Sequence, residues 1–362
     1  MGRWKWHLEP RILIQFLALG IVPPVVGHFI LVSGARNLYL EQRGAHLSRR
    51  ADDIQRELSN LIENAIVQVA NLASSEPIRQ GLAGTELDSR EEARLEINIQ
   101  AMELAWGGLG VDEPRLKSIL DHPASGLLKQ LGQIVPTFRE ILLTDRYGQL
   151  VAATNKTSDY YQADEIWWQR AALQGQGARY VGDVIFDESA NTYGMEIAEP
   201  VRDLETGTLI GVIKAILDSA ALFGMLEAAN EGVEGQESLL VRTDGTSIWS
   251  PDARTTNDFA AVMSNAISLG RPSAMGSTRE GDPSLVAFPT TGIKDRIPEL
   301  DWYVLVHSPL SSVLTPFENL NRRFLLIVLA TIATVISLAF VFTHIMSRPA
   351  VDVDPHFERL PD

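Results

Sequence analysis

The chain has 362 residues, 45% of them hydrophobic, and a formal net charge of -15. That length suits one large domain or two smaller ones, and an acidic chain without a long basic block excludes nucleic acid as the expected partner. No cysteine is present, which removes disulfides, thiolate metal sites and cysteine nucleophiles and leaves any exported domain to be held by its core.

In chain order, a basic start (Arg3, Lys5, Arg11) precedes an uncharged apolar run from Ile12 to Ser33, and a second uncharged run extends from Phe324 to Thr343. Each is near the ~20 residues that cross a bilayer as a helix. The first run is longer than a signal-peptide core and lacks a clean small-residue cleavage site, so it reads as a retained span, kinked at Pro23 and Pro24. The positive-inside bias places the start in the cytoplasm and the bulk of the chain on the far side of the membrane. Arg36, Arg43, Arg49, Arg50, Arg322 and Arg323 oppose this, but long loops translocate largely regardless of charge.

Between the spans, Leu47, Ile54 and Leu61 repeat every seven residues beside Leu58, Ala65 and Leu72, with no Gly or Pro from Ala45 to Ser75. This predicts one long helix whose stripe packs on its own domain, the alternative being a dimer seam. Helices are expected at Arg90 to Trp106 and Pro114 to Leu131, with a break near Pro123. Strands follow at Phe138 to Thr144 and Gln149 to Ala153 across an Asp145–Gly148 turn, then a helix near Glu165 to Leu173. Further strands lie at Tyr180 to Phe186, Tyr193 to Val201 and Leu209 to Leu217. The last is apolar on both faces except for Lys214, so both faces should be covered.

Leu142-Leu143-Thr144-Asp145 with Gly148 has a weak echo in Val241-Arg242-Thr243-Asp244-Gly245. Each half closes on an apolar strand running into a helix, Leu209 to Leu217 and Trp302 to Val306. The expected fold is α/β: two related modules stacked along a long N-terminal helix and flanked by two transmembrane helices. The segments are 1–11 (cytoplasmic), 12–33 (span), 34–136 (long helix and helical region), 137–226 (membrane-distal module), 227–321 (membrane-proximal module), 324–343 (span) and 344–362 (cytoplasmic tail).

This layout, with Ile141 to Gly148 followed by Thr157 to Trp168, resembles the double Cache (PAS-like) sensor domains of bacterial receptors, closest to those of sensor histidine kinases. The resemblance covers about Arg36 to Leu320. It implies a small extracytoplasmic ligand held in the distal module by Tyr160, Glu165, Trp167, Trp168, Tyr180, Asp183, Ile185, Asp187 and Lys214. In amino-acid-binding members an Arg clamps the ligand carboxylate and a late Asp holds its amino group. Those positions read Glu165 and about Ile216 here, which argues against a free amino acid. Acids outnumber Lys214, so an amine, a cationic heterocycle or a neutral polar ligand is expected ahead of a carboxylate. Lys214 is expected to pair with Glu165 or to meet an anionic group.

Ser347-Arg348-Pro349 resembles the start of the HAMP linker that follows the second span in many receptors. The thirteen residues beyond cannot hold an output domain, so a cytoplasmic partner or a missing C-terminal domain is implied, and a homodimer is expected. No catalytic motif, cofactor fingerprint or metal-ligand spacing occurs, so catalytic residues, cofactors and metal ligands are all expected to be absent. Solvated loop acids explain Asp187-Glu188 and Asp203-Glu205 better than calcium does. His28 inside the first span reads as a helix-packing hydrogen bonder. The alternative function is a periplasmic protein-interaction or dimerisation subunit with a vestigial pocket; a membrane-anchored hydrolase finds no acid/base constellation.

Overall fold

The computed structural model describes residues 10–85, 87–231, 235–251, 259–277 and 281–346. Arg3, Lys5, Ser347-Arg348-Pro349 and the acids of the tail lie outside them. The chain divides into two compact units, residues 1–43 with 310–362, and residues 44–309.

In the first unit, helix α1 (Pro10–Ala73) runs through Pro23 and Pro24 without interruption, and helix α10 (Leu310–Met346) carries the second apolar run. Both are long and apolar enough to cross a membrane, with window mean hydropathies of 1.7 and 2.8. Tyr39 packs on Phe317 at 6.0 Å between ring centroids. His28 lines an apolar groove of about 430 Å³ with Pro24, Leu31, Phe317 and Phe324.

In the second unit, the later turns of α1 bury the apolar stripe read from the sequence: Leu47, Ile54, Leu58, Ala65 and Leu72 are all covered by the chain itself, and Leu61 is half-buried. The opposite face presents Arg49, Asp53, Arg56, Glu57, Asn60 and Asn64 to solvent, so the stripe serves the core. Short helices follow: α2 (Glu76–Gly81), α3 (Ser89–Glu92), α4 (Leu95–Trp106), α5 (Pro114–Leu120) and α6 (Pro123–Ile134). The single helix expected from Arg90 to Trp106 is therefore two. Asp88 caps α3 with a capping box, which sets its start, and the chain turns at Ala93–Arg94 before α4. Pro123 opens α6, where a missing N–H costs nothing.

The remaining elements form two sheets of one topology. Strands β1 (Phe138–Asp145), β2 (Leu150–Ala153), β3 (Tyr180–Asp187), β4 (Thr192–Arg202) and β5 (Leu209–Asp218) pair in the order β2-β1-β5-β4-β3, with α7 (Ile166–Ala172) between β2 and β3 and α8 (Ser219–Asn230) after β5. Strands β6 (Glu237–Arg242), β7 (Ser247–Trp249), β8 (Ser273–Ser277), β9 (Pro283–Ala287) and β10 (Trp302–Pro309) pair as β7-β6-β10-β9-β8, with α9 (Phe259–Ser268) between β7 and β8. The weak repeat in the sequence is thus a structural duplication. Its two Asp/Gly turns match: Gly148 and Gly245 both hold positive φ, 87° and 83°, a region open to glycine at little cost. The closing strands β5 and β10 are central and almost wholly buried, as their two-sided apolar pattern requires.

Helix α1 is tied to the second sheet by Ser48 Oγ donating to Phe288 O at 2.7 Å and by Val304 N donating to Gln55 Oε1 at 3.1 Å. The two sheets are linked by an Arg242–Asp183 ion pair between β6 and β3, and α8 meets the second sheet through a stacked Phe223–Trp249 pair at 6.0 Å.

Candidate functional site

Strand alternation sends every second residue to one face. On the first sheet, β1 sets Glu140 opposite Ile216 and Leu142 opposite Lys214, while β4 sets Glu196 opposite Ile216 and Ala198 opposite Lys214. Glu140, Glu196 and Lys214 therefore share a face, and α7 covers it with Trp167.

Lys214 is 6% exposed. Its Nζ lies 3.1 Å from Asp187 Oδ2 and 3.2 Å from Glu196 Oε1, and 5.2 Å above the centre of the Trp167 ring. Burial works to lower the lysine pKa, but Glu196 and Asp187 outweigh it and hold the ammonium above its ordinary range. Burial likewise opposes the Asp187 charge, but Lys214 and the Ala190 N–H overcome it and keep this carboxyl below the usual range. Glu140 is 1% exposed. Its Oε2 accepts from Asn155 Nδ2 at 2.7 Å, and Ser189 Oγ lies 2.7 Å from its Oε1 and 2.8 Å from Asp187 Oδ1. Burial pushes Glu140 up, and the negative charge of Asp187 adds to this.

Trp167 is 1% exposed and its indole N–H has no hydrogen-bond partner among the described residues, a donor that normally finds one when buried. The arrangement is a cation site in chemical terms: carboxylates and an aromatic face around an ammonium that the protein supplies itself.

The other residues named from the sequence fall at different distances from this centre. Tyr180 borders it: burial raises its phenol and Glu196 adds to the effect. Glu165 is exposed at the N-cap of α7 and is raised by partial burial and by Asp159. Trp168 donates to Thr144 Oγ1 at 2.9 Å. Tyr160 packs on Trp106 at 5.5 Å, and burial, with Asp145 and Glu103, pushes its phenol to about 12.

Three expectations need correction. Lys214 pairs with Asp187 and Glu196, not with Glu165, because the strand register brings the two nearer acids under the buried ammonium. Asp183 faces Arg242 of the second sheet: β3 has a bulge between Val181 and Val184, and such a bulge re-aims side chains. Ile185 is largely exposed on the edge strand. Sequence reasoning missed Glu140, Glu196, Ser189 and Asn155. A signal existed for the two glutamates, since along its strand Glu140 alternates with Phe138 and Leu142, and Glu196 with Gly194 and Ala198.

Two of the acids considered for calcium are engaged within the protein: Asp187 with Lys214, and Asp203 with the N–H groups of Glu205 and Thr206 in its own turn. Among the described residues no group of three or more His, Asp or Glu is placed to hold a metal. Two open clefts of this unit have other linings, about 520 Å³ beside Arg79, Arg146 and Asp203 and about 670 Å³ beside Leu95, Ile99 and Tyr161.

No family model and no curated protein matches the chain. Solved structures do. The ligand-binding domain of the Pseudomonas fluorescens chemoreceptor CtaA, in complex with L-isoleucine, is 17% identical with a TM-score of 0.50, over 78% of this chain and 98% of that one. The ligand-binding domain of the Pseudomonas aeruginosa amino acid chemoreceptor PctB with L-Arg is 17% identical, with a TM-score of 0.48 over 78% and 94%. The sensor domain of the Vibrio cholerae histidine kinase DctB is 14% identical, with a TM-score of 0.46 over 76% and 98%. With its duplicated five-stranded sheets set along a long helix, this chain has the double Cache fold of bacterial ligand-binding sensor domains.

Proposed function

We propose that the chain is the sensing portion of a two-span receptor in a bacterial inner membrane, and that its distal module takes a small ligand beneath α7. The observation that carries this is the buried centre itself. Three carboxyl groups (Glu140, Asp187, Glu196) surround one ammonium, and beside it the Trp167 N–H has no acceptor among the described residues. An excess of buried acid favours a ligand that brings positive charge or hydrogen-bond donors, so an amine, a cationic heterocycle or a neutral donor-rich molecule is favoured over a carboxylate. The amino acids bound by the CtaA and PctB domains carry an ammonium too; here the anchors suit that end and not the carboxylate.

Transmission follows from the order of contacts. Asp187 and Asp183 lie on one strand, β3; Asp183 pairs with Arg242 of β6, and β6 pairs with β10, which leads in sequence into α10. A ligand that prefers one arrangement of β3 biases this chain of contacts. The expected partners are a second copy and a cytoplasmic output protein or domain.

A second reading has its own support. Lys214 already occupies the cation position, which fits a vestigial pocket in a protein-interaction or dimerisation subunit. Calorimetry with the full chain in lipid nanodiscs separates the two. Saturable binding of simple amines, weakened by Glu196→Gln, is expected. Failure of amines, amino acids and dicarboxylates alike to bind supports the interaction subunit. Tight binding of a dicarboxylate, abolished by Lys214→Ala but not by Glu165→Ala, rejects the amine assignment.

A further inference from the structure

Ser189 sits in the turn between β3 and β4 and touches two carboxyl groups at once, Glu140 Oε1 at 2.7 Å and Asp187 Oδ1 at 2.8 Å. A hydroxyl has one hydrogen to donate. Asp187 is held as a carboxylate from three directions: Oδ1 accepts from Ala190 N at 2.8 Å, Oδ2 accepts from Lys214 at 3.1 Å, and Oδ1 faces the Ser189 hydroxyl. The single hydrogen of Ser189 therefore goes to Asp187. The contact with Glu140 then needs a hydrogen from the other side, and Glu140 can supply one only as the neutral acid.

We infer that Glu140 is a protonated carboxylic acid at neutral pH, donating to Ser189, and that losing this proton in alkaline medium loosens the β3–β4 turn, so that the distal module responds to pH. The relay reads Glu140 to Ser189 to Asp187, with Lys214 closing it. Ionised, Glu140 would place a second carboxylate against one hydroxyl and beside Asp187, and Ser189 could satisfy only one of them. The groups that face Glu140 are few. Asp187 lies beyond Ser189, Lys214 lies on neighbouring β5 and Glu196 across it on β4, Asn155 donates to its other oxygen, and the Arg139–Asp218 pair lies next along the strands. Among the described residues Lys214 is the cation directed at the cluster, and Asp187 and Glu196 already claim it. Burial, the largest influence, also favours the neutral form. This inference stands apart from the ligand reading, because it needs no ligand.

The sign follows from linkage. A carboxyl whose folded pKa lies above its unfolded value adds stability below the unfolded value, and that stability is lost as pH rises through the folded value. Infrared titration of the full chain in nanodiscs, in an Asp145→Asn background to remove a second buried and raised carboxyl, tests the assignment. A protonated-carboxyl band at neutral pH that disappears on alkalinisation and is absent from Glu140→Gln is expected. A neutral-pH spectrum unchanged by Glu140→Gln overturns the inference. Hydrogen exchange of the unmutated chain supplies a readout that does not depend on the variant folding. The opening equilibrium of residues 188–191 should rise from neutral to alkaline pH, and a constant one overturns the loosening.

Discussion

Lys214 and Asp187, 27 residues apart in sequence, meet at 3.1 Å with each side chain 7% exposed. The lysine is the counter-charge for a face that would otherwise bury acids alone. Taking two ions out of water is costly, and their attraction offsets the cost only while both are present.

Removing that counter-charge should be severe. Lys214→Ala leaves Asp187 and Glu196 buried without their cation, and about 3–5 kcal/mol of stability should be lost. Chemical denaturation at neutral pH measures it. The deficit should shrink as pH falls, because the orphaned acids can then take up protons. A deficit below about 1 kcal/mol, or one independent of pH, would show that water reaches the site.

Asp145 gives a pH signature of its own. Burial raises its carboxyl to about 6 despite hydrogen bonds from the backbone of Tyr147 and Gln149. Its unfolded value is about 3.9. Its contribution is therefore complete below about pH 4 and lost as pH rises through 6. Asp145→Asn keeps an acceptor for the two N–H groups and removes the titration. The melting temperature of Asp145→Asn, followed through this window, should stay level where that of the unmutated chain falls; parallel curves would refute the raised carboxyl.

The Arg242–Asp183 pair couples the two modules without holding either together. Both side chains are about one-third exposed, so Arg242→Ala should cost at most about 1 kcal/mol of overall stability. Its effect should appear in cooperativity. Calorimetric unfolding should separate into two transitions in Arg242→Ala and in Asp183→Arg, and merge again in the double variant Asp183→Arg with Arg242→Asp. A single transition in every variant would place the coupling elsewhere, with the Phe223–Trp249 stack as the next contact to remove.

Local chemistry made much of the architecture legible from the sequence. Seven-residue spacing from Leu47 to Leu61 implied a helix with one buried stripe, because residues three to four apart share a helix face. An Asp/Gly turn between apolar runs marked the β1–β2 hairpin, since the turn needs a residue that adopts positive φ and Gly148 does so. The two-sided apolar pattern from Leu209 to Leu217 implied a central strand. The helix that begins beside Trp167-Trp168 was legible for the same reason: its information lies within a few residues.

Partnerships across the sheets were another matter, and only the tertiary structure decided them. Glu196 and Asp187 precede Lys214 by eighteen and twenty-seven residues, yet strand register selects them over Glu165, and one step of slip would turn their side chains to the opposite face. Asp183 and Arg242, 59 residues apart, pair because two separate sheets lie in one unit with β3 near β6. Ser189 bridges Glu140 and Asp187 because the β3–β4 turn folds over the end of β1, a contact spanning 49 residues. Composition and periodicity report which groups a strand carries and how they alternate. Which buried charge neutralises which depends on distances of a few ångströms across the sheet, and those exist only once the register is set.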